Sequence, residues 1–281
     1  MNNIYKKAAE AIKKADALII TAGAGMGVDS GLPDFRGNKG FWKEYPAISH
    51  LGISFAEMAN PRWFEENPKL AWAFYGHRYN LYKKTHPHKG FDILRELGKN
   101  KENGYFVYTS NVDGHFQKAG FTENCIEEVH GSINHLQCSV PCSSEIYEAN
   151  ELKISIDNKK FEALEPLPLC PKCNAIARPN ILMFGDWSWL SHRSGEQSER
   201  FSDWLINLKH KNKKPVIIEA GAGKAVPTVR MKSERLAAEF ETILIRINPR
   251  DYHIPHYIQG FEIQDSAMSG IFKIYDNIQK I

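Results

Sequence analysis

Four of the five cysteines fall in two close pairs, Cys138-x3-Cys142 and Cys170-x2-Cys173. Two knuckles of that spacing can gather four thiolates into the tetrahedron zinc prefers, and a four-sulfur shell leaves no position open for water. The chemistry expected there is structural, metal binding serving as folding free energy for the segment that carries the cysteines; four separate buried thiols are the alternative. Cys125, the fifth, reads as ordinary packing. A second cluster is rich in glycine: Ala22-Gly23-Ala24-Gly25-Met26-Gly27-Val28-Asp29-Ser30-Gly31 follows a short apolar run. Small residues after a strand let a pyrophosphate approach backbone amides, although a plain tight turn uses the same residues. Leu32-Pro33-Asp34-Phe35-Arg36-Gly37 continues with an acid, a ring and a guanidinium, which together can hold amide, sugar and phosphate groups. Thr109-Ser110-Asn111-Val112-Asp113-Gly114 is either a set of ligand-facing groups at a strand's carboxyl end or a turn. Tyr75 and Arg78, three apart, share a helix face, where phenol and guanidinium either bind a carboxylate together or face solvent as a pair.

These groups need a frame. Ala17 to Thr21, Tyr105 to Thr109, Ile181 to Phe184, Pro215 to Ala220 and Glu241 to Asn248 are short apolar runs suited to central strands of a parallel sheet. Helix-like stretches alternate with them: Phe64 to Tyr82, Pro87 to Leu97, and a closing segment with Ala267, Ile271, Ile274, Tyr275 and Ile278 at helical spacing. The alternation predicts a doubly wound α/β fold of the Rossmann type. Two insertions interrupt it, one aromatic and helical, one holding the cysteines, and are expected to form a small zinc-binding and helical lobe. The expected division is 1-40, 87-135 and 178-281 for the nucleotide-binding domain, with 41-86 and 136-177 for the lobe.

With 281 residues and 42% hydrophobic content, the chain can bury one substantial core plus an appendage. Its 36 Lys and Arg nearly balance 33 Asp and Glu, so charge points to neither nucleic acid nor a membrane surface as a partner. No run is long enough to span a bilayer. Residues 2–16 carry charges among apolar residues at helical spacing, unlike a secretion signal, and the cysteine usage suits a reducing compartment; a cytoplasmic location is expected.

Taken in order, the motifs resemble those of the sirtuin (Sir2-like) family. Gly23, Ala24, Gly25, Ser30, Gly31, Pro33, Asp34, Phe35 and Arg36 match its first motif; Thr109 to Asp113 resembles Thr-Gln-Asn-Ile-Asp; Val129-His130-Gly131-Ser132 resembles the catalytic histidine motif. The resemblance spans about Ala17 to Ala267 and implies NAD as co-substrate, one structural zinc at Cys138, Cys142, Cys170 and Cys173, and acylated protein or peptide lysine as partner. It implies that Gly23, Ala24, Gly25, Asp34, Phe35 and Arg36 bind the cofactor, Arg36 at the phosphates and Phe35 over the ribose. Asn111 would lie near the nicotinamide ribose with a part in catalysis, Asp113 would hold the carboxamide, and Asn248 would meet the adenine ribose. His130 would be the base, its ordinary pKa of roughly 6.5 lying near the working pH.

Pro179 to Asp186 is similar to the family segment that pairs as a strand with the peptide, placing substrate at Leu182, Phe184 and Gly185. Asn60 to Arg78 resembles the helices over the acyl channel, and Tyr75-x-x-Arg78 the pair by which class III sirtuins receive acidic acyl groups such as succinyl. Three departures mark an atypical bacterial-type member. Ser110 replaces Gln, Gly27 stands where Ser is common, and Gly221-Ala222-Gly223 replaces Gly-Thr-Ser, so that Gly221 and Gly223 keep the close backbone approach to the cofactor without the hydroxyls. Glu219 either accepts a ribose hydroxyl or pairs with Lys224 or a nearby arginine. The expected activity is NAD-dependent lysine deacylation. A protein mono-ADP-ribosyltransferase or NAD hydrolase using the same site, and a silent NAD-sensing module, are the alternatives.

Overall fold

The computed structural model describes residues 2–33, 45–46, 49, 52–150 and 152–281. Asp34, Phe35 and Arg36 therefore lie outside the described residues.

After helix α1 (Asn2–Lys14), strands β1 (Ala17–Ala22), β2 (Tyr105–Thr109) and β3 (Ile126–Glu128) build one half of a six-stranded sheet. The small lobe begins between β1 and β2 with α2 (Phe55–Met58), α3 (Trp63–Glu66) and α4 (Pro68–Lys84), followed by α5 (Lys89–Lys99) of the main domain. A short α6 (His115–Lys118) follows β2. Strands β4 (Gly131–Cys138), β5 (Tyr147–Glu148), β6 (Ile156–Asp157), β7 (Glu162–Ala163) and β8 (Ala177–Ile181) come next, then α7 (His192–His210), β9 (Pro215–Ala220), α8 (Thr228–Glu239), β10 (Leu244–Ile247), β11 (Gly260–Ile263) and α9 (Ala267–Ile278).

The large sheet has the order β3-β2-β1-β9-β10-β11, and every pairing in it is parallel. It is the doubly wound α/β fold expected from the alternation of apolar runs. Its switch point lies between β1 and β9, and loops leaving the carboxyl ends of these two strands part to make a crevice. Side chains of β1 alternate across the sheet, as the two-residue strand period requires. Leu18 and Ile20 join Ile12, Phe91, Leu94, Ile271 and Ile274 from α1, α5 and α9 in one core. Ala17 and Ile19 join Phe201 and Leu208 of α7 and Val229 and Leu236 of α8 in the other.

A third core belongs to the small lobe, where Phe64, Trp72, Phe74 and Tyr75 meet Ile133, Leu136, Ile181 and Met183. The Trp72 Nε1–H donates to the carbonyl of Ala177 at 2.9 Å, tying α4 to β8. No helix among the described residues is long and apolar enough to cross a membrane.

The observed elements depart from expectation in three ways. Ile181 to Phe184 is not a central parallel strand: β8 ends at Ile181 and pairs antiparallel with β4 in a three-stranded sheet of order β5-β4-β8. Buried polar partners decide this, the Asn180 Nδ2 donating to Gln137 Oε1 at 2.9 Å across the two strands. The run Phe64 to Tyr82 is broken at Asn67, whose side chain caps α4 by accepting from Leu70 N–H at 3.1 Å, with Pro68 at the first helical position. Strands β3 and β11 carry Glu-Glu and a half-exposed Gly-Phe-Glu-Ile, patterns without an apolar run.

Candidate active site

At the switch point two glycine loops touch. Gly23 N–H donates to Ala220 O at 3.1 Å and Gly25 N–H to Gly221 O at 2.9 Å. Gly221 sits at φ +66, and a Cβ there would lie 2.2 Å from Met26 N, so only glycine allows the crossing. Ala24 stands exposed at the start of a 3-10 turn, and Gly223 is half-buried one residue past Ala222. Side chains at the strand ends lash the loops down. Thr109 Oγ1 donates to Ala22 O at 3.0 Å and accepts from Asn111 N–H, while Asn111 Nδ2 donates to Gly23 O at 3.1 Å. Asn248 does the same for the second loop, its Nδ2 donating to Ala222 O at 2.8 Å and its Oδ1 accepting from the amides of Arg250 and Asp251. Between the loops opens a cavity of about 200 Å³ lined by Gly25, Val28, Asp29, Gly221, Pro249 and Arg250 among others. Glycine from both loops and Arg250 along such a crevice suit an anionic nucleotide.

His130 follows β3 and precedes β4. Gly131 has φ +77, and a Cβ on it would stand 2.1 Å from Asn180 O, so glycine is required beside the histidine. Burial lowers the His130 pKa and the backbone of Ser110 opposes the shift, leaving a neutral imidazole at pH 7. Its Nε2 lies 3.5 Å from Thr228 Oγ1. Asp113 parts company with Asn111: its Oδ1 accepts from His115 N–H at 2.9 Å, and it lines a separate, larger cleft of about 710 Å³ with Tyr82, Lys118, Ser132, Asn134 and His135. The smaller crevice is the better candidate for a dinucleotide despite its size, because both glycine loops converge there.

Tyr75 and Arg78 are buried, at 1% and 8% exposure, so the solvent-facing alternative fails. Every side chain of Leu70–Gly76 on α4 is buried, and the helix lies inside the lobe. Arg78 Nε and Nη2 donate to Tyr82 Oη at 3.0 and 2.9 Å, and its guanidinium lies 5.4 Å from the Phe74 ring and 5.9 Å from that of Tyr75. Burial raises the Tyr75 pKa, which keeps the phenol protonated. Beyond β8, Leu182 N–H donates to His130 O at 3.0 Å and Phe184 N–H to Ala59 O at 2.9 Å, while Asn60 Nδ2 donates to Phe184 O at 3.0 Å. Met183 points inward, Leu182 and Phe184 keep 38% and 42% of their surface exposed, and Gly185 turns the chain at φ +69.

That turn rests on residues the sequence did not single out. Arg178 and Asp186, both fully buried, form a two-bond ion pair at 2.7 and 2.9 Å. Charges eight apart across a strand end carry no periodic signal. Glu219 has the structural alternative: Arg246 grips it at 2.6 and 2.9 Å with Arg230 at 3.9 Å, whereas Lys224 lies 4.0 Å from Asp251.

The four paired cysteines converge, their Sγ atoms all within 4.8 Å of one another, with Cys138 and Cys173 at 3.6 Å and Cys142 and Cys170 at 3.6 Å. Zinc with bonds of about 2.3 Å needs sulfurs about 3.8 Å apart, so the cluster fits the ion with little adjustment. Cys125 stays outside the cluster, half-buried between the two cores of the large domain.

A parallel sheet with a glycine-lined switch point, a neutral histidine beside it and a four-thiol lobe defines a nucleotide-binding α/β protein with a metal-clamped insertion. A sequence profile described as the Sir2 family matches residues 23–206. The chain is 30% identical over 252 residues to a protein of Leptospira interrogans named NAD-dependent protein deacylase, covering 89% of this chain and 87% of the relative. To a protein of that name from Aquifex aeolicus it is 28% identical over 267 residues, covering 94% and 95%. The chain belongs to the Sir2 family. Solved structures agree in fold: a Sir2 homolog–NAD complex aligns with TM-score 0.72 at 24% identity, covering 98% of this chain and 94% of that one.

Proposed function

We propose that the chain is an NAD-dependent protein lysine deacylase that transfers the acyl group of an acyl-lysine to ADP-ribose and releases nicotinamide. The observation that supports it is the convergence of Asn111 and both glycine loops at the switch point, with His130 3.5 Å from the first residue of the helix that follows the second loop, in a chain whose relatives bear the deacylase name. NAD supplies an activated sugar–nitrogen bond, and one zinc ion in the four-cysteine cluster holds the lobe.

The residues divide the work. Gly23, Ala24, Gly25, Gly221 and Gly223 admit the dinucleotide backbone, and Asp34, Phe35 and Arg36, outside the described residues, are assigned to the cofactor from the motif alone. Asn111 and Asn248 fix the two loops that shape the crevice, and Asp113, which lines the larger cleft, is assigned to the carboxamide end of a dinucleotide that extends from one cleft into the other. The amide oxygen of the acyl-lysine bonds to the anomeric carbon as nicotinamide leaves with the electron pair. Neutral His130 then takes the proton of a ribose hydroxyl, whose oxygen attacks the former amide carbon. The proton passes to the amine, which leaves as free lysine; water then adds to the acyl carbon, and that carbon's bond to the oxygen on the anomeric carbon breaks, leaving the acyl group on the attacking ribose oxygen as O-acyl-ADP-ribose. Leu182, Phe184 and Gly185 offer apolar surface and a turn to an extended peptide. The domain division is proposed as 1-40, 87-135 and 178-281 against 41-86 and 136-177. The protein is assigned to the cytoplasm, where a four-thiol cluster stays reduced and able to hold metal.

Incubation with NAD and acetyl- or succinyl-lysine peptide tests the activity: nicotinamide release should require the peptide, and His130→Ala should lower it by two or more orders of magnitude. Release that ignores the peptide, or ADP-ribose appearing on protein, overturns deacylation. The buried Tyr75–Arg78 pair supports acidic acyl groups as substrates, so Arg78→Met should weaken succinyl peptide about tenfold or more while sparing acetyl peptide. Equal losses on both peptides remove that preference.

A further inference from the structure

The first glycine loop is held from several directions. Asn111 Nδ2 holds Gly23 O, and Gly25 N–H is held by Gly221 O. The chain here makes two short 3-10 turns, Ala24–Met26 and Val28–Ser30, and Val28 and Asp29 of the second line the crevice together with Gly25. Asp29 Oδ2 ties the second turn to α9 by accepting from Met268 N–H at 2.7 Å. Another tether comes from His88, the residue just before α5.

His88 is buried, and both ring nitrogens have partners. Nε2 lies 2.9 Å from Met26 O and Nδ1 lies 3.0 Å from Gly90 N, while the Phe91 ring packs 4.9 Å away. A carbonyl only accepts and an amide N–H only donates, so the ring hydrogen sits on Nε2 and the lone pair on Nδ1. Burial lowers the pKa and keeps this single neutral tautomer at pH 7. The main-chain N–H of His88 donates to Ser30 Oγ at 3.0 Å, so one residue holds the last position of each 3-10 turn. Gly90 makes the room for this, since a Cβ on it would lie 2.6 Å from His88 Cε1.

The two ring nitrogens do different work. Nδ1 caps α5 by accepting from the amide of that helix's second residue. Nε2 reaches instead to Met26, whose own N–H stands where the second glycine loop crosses at Gly221. We infer that His88 is a positioning residue for the cofactor: through Met26 O its Nε2–H holds the first glycine loop at the spacing from the second that admits the dinucleotide, a role separate from its capping of α5. The inference rests on the proposed reading that NAD lies between these loops.

Two variants divide the ring. His88→Asn puts an oxygen where Nδ1 stands and keeps the cap, but falls short of Met26 O; His88→Gln puts an amide nitrogen near Nε2 and gives up the cap. One neutral hydrogen bond corresponds to a loss of roughly two- to tenfold. Titration calorimetry should show Kd for NAD raised by that factor in His88→Asn, with the melting temperature within about 1 °C of the parent. His88→Gln should keep Kd within about twofold of the parent while melting about 2–4 °C lower. In peptide assays His88→Asn should raise KM for NAD, with kcat and KM for peptide within about twofold. Unchanged NAD affinity in His88→Asn overturns the inference, and so do affinity losses in both variants that follow their melting temperatures, the mark of a merely structural residue. Calorimetry without peptide does not depend on the acyl chemistry: a His130→Ala that leaves turnover intact removes the base of the proposed deacylase, whereas an unchanged Kd in His88→Asn removes only the role of His88.

Discussion

Removing the carboxylate of Asp186 should unfold the turn that carries Leu182, Phe184 and Gly185. Asp186 and Arg178 have no exposed side-chain surface, and the carboxylate also accepts from Met183 N–H at 3.3 Å and Ser188 N–H at 3.2 Å. Asp186→Ala leaves a guanidinium buried without its counter-charge, a change that costs about 3–5 kcal/mol, well above the roughly 0–1 kcal/mol of an exposed pair. At a urea slope of about 3 kcal/mol/M the midpoint should fall by about 1–1.7 M. Because Leu182 N–H holds the His130 carbonyl and Phe184 N–H holds Ala59, KM for acyl-lysine peptide should rise more than KM for NAD. Arg178→Met combined with Asp186→Leu removes both charges and should recover most of the stability, to within about 1 kcal/mol of the parent. Urea unfolding followed by far-UV circular dichroism measures all three variants. A midpoint for Asp186→Ala within about 0.3 M of the parent would show that the pair does not brace the turn.

Gly131→Ala should cost about 2 kcal/mol or more and abolish turnover, since φ is +77 and the new Cβ would lie 2.1 Å from Asn180 O; a folded, active variant in thermal melts and peptide assays counts against the close approach. A strong chelator should draw one zinc per chain and lower the melting temperature, Cys170→Ser should lose the metal, and Cys125→Ala should retain it, as read by elemental analysis. His135 is held down to about 4 by burial and then by Arg193, against an ordinary value of 6.5. Below pH 6.5 the unfolded chain takes up a proton that the folded chain refuses, so stability is full above that pH and declines down to about 4. Discounted for its partial exposure, the loss should be about 1–2 kcal/mol, and His135→Gln should flatten that part of the stability–pH curve.

The parts of the site legible in the sequence are those where chemistry or sterics leaves few substitutes. Gly221 is forced by Met26 N at 2.2 Å from its absent Cβ, and four cysteines in two knuckles have few other uses than the cluster they form. What escaped depends on partners distant in the chain. Ile181 to Phe184 is apolar enough for a central strand, yet Asn180 and Arg178 just before it take Gln137 of β4 in the small sheet and Asp186 in the turn after β8 as partners. Helix α4 has no single apolar stripe and is buried on every side from Leu70 to Gly76, so spacing put Tyr75 and Arg78 on one face without telling whether that face met water.

Asn248 shows how far a matched motif constrains a role. Its amide is occupied by Ala222 O and the amides of Arg250 and Asp251, bonds that hold the second glycine loop at the crevice. An amide carries two hydrogens on Nδ2, and the one given to Ala222 leaves a second for a ribose hydroxyl. Contact and scaffolding are therefore compatible at this position. Asn248→Ala should accordingly lose more cofactor affinity than one ribose bond accounts for, because the loop that admits the dinucleotide loses its tether as well.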